Sequence, residues 1–313
     1  MSSVGAAGPV IVTPGVMAGA LVGDLTTDQA SIATLENEIS TGDAVTSPSD
    51  NPAQVANILQ LQSGVVRANQ YESNAQDGVS WLSLANSTVG SVLSVLQKVQ
   101  STVESISGSN LSGTPSTVAG ISDAITSALK QLANLANTQY AGQAIFAGTG
   151  NATQAYSSTG TYLGAGTSPT RTVAPGSQVA VSVTGPTIFG SGPTGLLSTV
   201  PGNLGVLAQI VQDLRAGTAT SIRAATTTGL GALQSAISVV ETAAGTLGAN
   251  EQAMQGFASQ ATASVTALQQ ELGAAQDVNM AQAITNLQLQ QTSYQAALYA
   301  TSQLHTDSLA AYL

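Results

Sequence analysis

The sequence predicts a mainly α fold: an elongated antiparallel helical bundle or coiled coil formed by both chain ends, with a small β-rich domain inserted between them. Three observations predict it. Apolar residues recur at a 3.5-residue spacing in both the first and the last third of the chain. Between those parts the period is replaced by Gly, Thr, Pro and Val. Proline-containing stops also divide one helical run from the next.

Taken in order, residues 1–24 read as a flexible N-terminal segment, interrupted by Pro9, Pro14 and Gly15. Residues 25–147 read as the N-terminal helical half of the rod. A short repeat of Leu25, Ile32, Leu35 and Ile39 leads into the stretch SPSDNPAQV. There Pro48 keeps Ser47 out of helical geometry. Asp50 or Asn51 suits the N-cap, Pro52 the first helical position, and Gln54 the reciprocal capping partner. From Ile58, alternate steps of three and four reach Leu61, Val65, Ala68, Glu72, Ala75, Val79, Leu82, Asn86, Val89, Leu93, Leu96, Gln100 and Val103. A repeat held over so many turns is a coiled-coil seam, because an ordinary amphipathic helix drifts off it. The polar intruders Glu72 and Asn86 read as register or oligomer markers. A third helix starts with Thr114 as cap and Pro115 behind it, and carries Val118, Ile121, Ile125, Ala128, Leu132 and Leu135.

Residues 148–203 read as the inserted β-rich domain. Val179, Val181 and Val183 alternate with polar or small residues, the period of a half-buried strand. Pro175-Gly176 suits the centre of a type II turn leading into it. Residues 204–313 read as the C-terminal helical half, packing on 25–147. Leu247, Met254, Ala261 and Leu268 recur at sevens, joined by Phe257, Val265 and Leu272, and Ala283, Leu287, Tyr294, Ala297, Leu304 and Leu309 continue the pattern.

Composition narrows the functional classes. Only 7% of the 313 residues are charged and 43% are hydrophobic, with aromatics at 4%. A surface so poor in charge fits self-association or a compositional habit of the source. The net charge of −10, with six Lys and Arg, excludes nucleic acid, which requires clustered cations. The absence of cysteine excludes disulfides and thiolate metal sites. The N-terminus lacks the basic start and unbroken apolar core of a cleavable signal. No run reaches the roughly 18 apolar residues of a membrane span, so no membrane insertion is expected.

Nothing assembles a catalytic, cofactor or metal site. The lone histidine, His305, has no nucleophile or carboxylate cluster beside it, and reads as solvent-facing. Glu36 and Glu38 point to different helix faces. Asp277 and Asn279 lack calcium-loop spacing. Gly148-Thr149-Gly150 has no following Lys, and reads as a helix stop and linker.

Family likeness is carried by particular segments. ENEISTGDAVTSPSDNPAQVANILQLQ and SNAQDGVSWLSLANSTVGSVLSVLQKV resemble the N-terminal region of the bacterial flagellin superfamily. The form SPSDNP looks most like the flagellar hook-associated protein 3, or hook–filament junction, family. QYAGQAIFAGTG, TVAPGSQVAVSVTGPTIFG, LGANEQAMQGF and DVNMAQAITNLQLQQTSYQAALYATSQLHTDSLAAYL resemble later parts of that family in the same order. The first two dozen residues depart from it, being longer and richer in Gly and Pro.

The resemblance implies a structural subunit joining hook to filament, exported to the outside of the cell without a cleaved signal. It implies a homo-oligomeric ring between the first hook-associated protein and flagellin, an export chaperone and export apparatus as earlier partners, and terminal helices that order on assembly. It also implies that the bend at Pro48, Ser49, Asp50, Asn51 and Pro52 is an assembly joint, and that Leu304, Leu309, Tyr312 and Leu313 belong to the assembling C-terminus. Flagellin itself, or a flagellin-like secreted adhesin, is the alternative.

Overall fold

The computed structural model describes residues 14–45, 47, 49, 51–108, 115–150 and 152–310. Its helices are α1 (Pro14–Thr41), α2 (Pro52–Gly108), α3 (Pro115–Ala136), α4 (Gly185–Phe189), α5 (Val206–Ala216), α6 (Ala219–Ala224), α7 (Leu230–Gln276) and α8 (Met280–Ala310), with a π turn over Ala225–Gly229 between α6 and α7. The chain divides into a terminal unit, residues 1–66 and 266–313, and a central unit, residues 67–265. The boundaries fall inside α2 and α7.

In the terminal unit α1 packs against α8. The two run antiparallel: Gln290 Nε2 donates to Asp28 Oδ1 at 2.7 Å, and Asp43 pairs with Asp277 at the opposite end. Leu25, Ile32, Leu35 and Ile39 are half-buried, as are Leu287, Tyr294 and Ala297 opposite, and Ala283 is buried. One partner covers only part of a helix surface, so the stripe gains partial burial. Helix α1 begins at Pro14, ahead of Leu25 where the repeat starts, so it takes in residues 14–24 of the segment expected to precede the helical half. Pro14 opens it without cost because the first turn has no N–H partner to lose. Thr114, expected to cap α3, lies outside the described residues.

In the central unit α2 is covered on two flanks, and its burial corrects the expected seam. The series Ala68, Ala75, Leu82, Val89, Leu96 and Val103 is buried, from 7% to 0% exposed. The companion series Val79, Asn86, Leu93 and Gln100 is only half-buried. The second buried column is instead Gly78, Ala85, Val92, Val99 and Ile106, one residue earlier in each heptad. A helix with one partner buries a single a/d seam, whereas packing against further elements widens and rotates the stripe. On α7, Leu247, Met254, Ala261 and Val265 are buried as the heptad requires. Helix α3 buries Val118, Ser122, Ile125, Leu132 and Ala136 and packs on α5. It ends at Ala136, so the expected helical block to residue 147 closes in a hairpin instead.

An 18-residue window of α2 reaches a mean hydropathy of 1.4, enough to cross a membrane by length and composition, and 39% of it is buried inside the protein. Ser, Thr, Asn and Gln interrupt the helix throughout, so this is a window average and not an unbroken run of 18 apolar residues. A core helix low in charge passes the same test, because Ser, Gly and Ala replace Lys and Glu on its outer face.

Three short antiparallel hairpins complete the unit: β1 (Gln139–Tyr140) with β2 (Gln143–Ala144), β3 (Thr170–Ala174) with β4 (Ser177–Ala180), and β5 (Thr199–Val200) with β6 (Asn203–Leu204). Pro175-Gly176 closes the second, with Gly176 at φ +75 as a type II turn requires. The alternating valines leave the sheet after Ala180. Val181, Ser182 and Val183 are all buried, which a strand with one solvent face cannot provide. They share the core with an aromatic cluster: Phe146 and Phe189 centroids lie 5.7 Å apart, Tyr156 and Phe189 5.5 Å, and Tyr156 and Tyr162 5.3 Å. Gly148 is packed rather than a linker, since a Cβ there would collide with the Ala165 carbonyl oxygen.

Candidate functional site

The joint between α1 and α2 is built residue by residue from capping chemistry. Gly42, at φ +82, stops α1 and donates its N–H to the Glu38 carbonyl at 2.8 Å. Asp43 N donates to Thr41 Oγ1 at 3.3 Å. Ser49 is exposed, its hydroxyl 2.7 Å from that of Ser47. Asn51 is the N-cap of α2: its Oδ1 accepts from Gln54 N at 3.1 Å, with Pro52 at the first helical position.

Gln54 corrects the expected capping box. Its Oε1 accepts from the Asn51 side-chain amide at 3.0 Å, and its Nε2 donates to the Ala275 carbonyl at 2.8 Å. The side chain thus ties α2 to the end of α7 rather than reaching back to the cap backbone.

The end of α7 is where sequence reasoning missed half of the joint. Asp277, Val278 and Asn279 separate α7 from α8. They pair with the first linker: Ala44 N donates to Gln276 O at 2.7 Å, Val278 N to Gly42 O at 2.8 Å, and Gln276 Nε2 to Asp43 Oδ1 at 3.1 Å. Asn279 caps α8 through Gln282 N at 3.2 Å. The signal was present, since Asn51-Pro52-Ala53-Gln54 and Asn279-Met280-Ala281-Gln282 share the pattern Asn-x-Ala-Gln, but no proline marks the second. Pro48 and Asp50 lie outside the described residues, as do Tyr312 and Leu313. Leu304 and Leu309 fall within α8.

Within the central unit, polar groups fix register. Thr262 Oγ1 donates to Glu72 Oε1 at 2.9 Å, and Asn86 Nδ2 donates to Glu251 Oε2. Both intruders predicted in the seam therefore join α2 to α7 within one chain. Met254 packs at Gly78, where a Cβ would meet its Cε at 2.5 Å.

The β3–β4 hairpin is held on the helices by Arg171. Its Nε bonds Asp77 Oδ2 at 2.8 Å, and its guanidinium lies 5.3 Å from the Trp81 ring centroid. Tyr140 donates to Asp77 Oδ1 at 3.1 Å, while burial, followed by that carboxylate, raises its phenol pKa above the ordinary value. Asn74 and Asn250 donate to the Thr172 and Ala180 carbonyls at 2.8 and 3.1 Å. Beyond α3, Asn137 accepts from Ala155 N and Tyr156 N at 2.8 and 2.9 Å, and donates to Ala133 O and Tyr156 O at 3.1 and 3.0 Å.

These polar groups bond to one another and to backbone carbonyls and amides, and so hold elements together. Among the described residues no three His, Asp or Glu side chains gather where a metal could bind. A hollow of about 450 Å³ beside α7 is lined by Ile188, Phe189, Leu196, Val206 and Ala236, and no charged side chain reaches it.

The class so defined is a structural protein in which helices from both chain ends pack together, carrying short hairpins between them. The helical region at the N-terminus of bacterial flagellin matches residues 15–151, and that at its C-terminus matches residues 230–313. The chain belongs to the flagellin superfamily, whose members are structural proteins of the bacterial flagellum.

Its fold is shared with several solved structures. A flagellar hook-associated protein from Vibrio parahaemolyticus superposes with a TM-score of 0.61 at 21% identity, covering 73% of this chain and 100% of that one. FlgL from Bacillus cereus gives 0.56 at 18%, covering 68% and 99%. The flagellar junction protein FlgL from Legionella pneumophila gives 0.52 at 16%, covering 72% and 100%. No curated protein matches the chain by sequence.

Proposed function

We propose that this protein is the structural subunit joining the flagellar hook to the filament, acting through helix packing in a shared lattice. The observation that carries the reading is the pairing of both chain ends in α1 and α8, whose apolar stripes are only half-buried within one chain. Such a pair reaches full burial when neighbouring subunits supply the missing surface. Likeness of fold to hook-associated and junction proteins supports the same reading.

On this reading subunits form a ring between the first hook-associated protein and flagellin. They leave the cell through the flagellar export apparatus without a cleaved signal, escorted by a cytoplasmic chaperone on the C-terminal helices. Residues 148–203 form the inserted module of the rod. Pro48, Ser49, Asp50, Asn51 and Pro52 shape the joint, while Leu304, Leu309, Tyr312 and Leu313 belong to the segment that orders on assembly.

Deletion of the gene tests this. Cells that keep their hooks, lack filaments and release flagellin monomer are the expected outcome. Normal filaments in the deletion strain would remove the junction role. Purified protein that grows long filaments unaided would make it a flagellin instead.

A further inference from the structure

Two long helices joined by a heptad seam have a register problem, because the seam meets itself again one heptad along. Within the central unit α2 and α7 carry that ambiguity. Ala68, Ala75, Leu82 and Val89 recur at sevens on α2, and Leu247, Met254 and Ala261 do so on α7. Ion pairs along the flanks are one means of choosing between registers. Among the described residues the ion pairs are Arg171–Asp77 and Arg215–Asp123, and neither joins α2 to α7. The tie between Glu72 and Thr262 is exposed, so water can replace it.

The β3–β4 hairpin links the two helices in series. Asn74, Asp77 and Trp81 lie three and four residues apart, on one face of α2. Asn74 donates to the Thr172 carbonyl on β3, while Asp77 and Trp81 hold Arg171 of the same strand. On β4 the Ala180 carbonyl accepts from Asn250 of α7. The path therefore runs from α2 through β3, across the strand ladder to β4, and on to α7. Val173 and Val179 of the hairpin are buried, so lifting it exposes apolar area.

This path crosses the helix pair obliquely. Glu72 meets Thr262 and Gly78 meets Met254, so Asn74 stands level with a point on α7 between Thr262 and Met254. Asn250 lies beyond that point by about ten residues, or roughly 15 Å at the rise of an α-helix. A tie at right angles swings as two helices slide, whereas an oblique one must stretch or break.

We propose that the β3–β4 hairpin is a brace that locks α2 and α7 in one heptad register and resists sliding along their axis. It acts within a single chain and is independent of the junction reading.

The chain has no cysteine, so spin labels can be placed on the full-length protein by Ser101→Cys/Gln260→Cys, both exposed positions. The labels stand far apart along the axis, and their distance reads the offset between α2 and α7. The labelled parent gives one distance. Asn250→Ala cuts the α7 end of the brace and adds a second population, shifted by about 10 Å, the rise of one heptad. Asn74→Ala/Arg171→Ala cuts the α2 end and adds the same population. All three substitutions together add little more, because the links act in series. Glu72→Ala, which removes a tie that bypasses the hairpin, keeps the single distance. A single distance in every brace variant, two distances in the parent, or an equal second population in Glu72→Ala would each overturn the brace. So would loss of helicity by circular dichroism in Asn250→Ala, since the hairpin would then be needed for folding and not for register.

Discussion

The terminal and central units are built from the same helix-forming residues, yet they are stabilised differently. In the central unit α2 is enclosed, so Leu82, Val89 and Leu96 are fully buried. Cross-element polar groups such as Asn86, Arg171 and Asn137 add unique pairings to that burial. In the terminal unit the seam residues Leu25, Ile32, Leu35 and Ile39 are half-exposed, and the joint is held by backbone bonds between the two linkers together with the side chains of Gln54 and Gln276. Equal periodicity therefore does not mean equal stability. What matters is how many neighbours cover the stripe.

The sharpest way to break this comparison is to truncate equivalent leucines. Leu82→Ala in the enclosed helix is expected to cost about 2–5 kcal/mol in denaturant unfolding. Leu35→Ala in α1 is expected to cost about 1–2 kcal/mol, since less area leaves water. Equal losses would mean that the terminal unit is as well covered as the central one.

Next in size is Asn137→Ala, which strands the buried N–H groups of Ala155 and Tyr156 and removes the tie to α3. A loss of about 2–4 kcal/mol is expected, confined to the central unit and detectable as faster amide exchange around residues 152–165.

Alkali should also separate the units. Tyr140, Tyr156 and Tyr162 all lie in the central unit, and their phenol pKa values are raised above the ordinary 10.0, with burial the main cause in each. For Tyr156 the second cause is the neighbouring Tyr162 phenol. The folded chain holds these protons to higher pH than the unfolded chain. Their stabilisation is therefore fully present below about pH 10 and is lost as pH rises beyond it. Tyr156→Phe should blunt that alkaline loss in a series of melting curves, and an unchanged slope would remove Tyr156 as its source.

The smallest expected effect is at the joint. Asn51→Ala removes the cap of α2 and should cost about 1 kcal/mol. Exchange should quicken at the amides of residues 53–55, while the central unit melts as before.

How much of this could be read from the chain depends on the reach of each interaction. The stop at SPSDNPAQV was readable because capping is local: Asn51, Pro52 and Gln54 act within four residues of one another. The turn at Pro175-Gly176 was readable for the same reason. The partner of Gln54 was not, because Ala275 lies on a distant part of the chain. The second linker was missed because Asp277-Val278-Asn279 lacks a proline, and its pairing with residues 42–44 exists only after folding. The seam was placed correctly along one column of α2 and one residue off along the other, since the second column depends on which elements lie beside the helix.

By itself the sequence determined the helical periodicity of both halves, the stop at SPSDNPAQV, the turn at Pro175-Gly176 and the family likeness, because periodicity, caps and turns are short-range physics. Only the tertiary structure decided which apolar stripes are enclosed, which polar intruders find partners, and that the two linkers act as one joint. Burial and hydrogen bonding between distant segments depend on neighbours that no local pattern names.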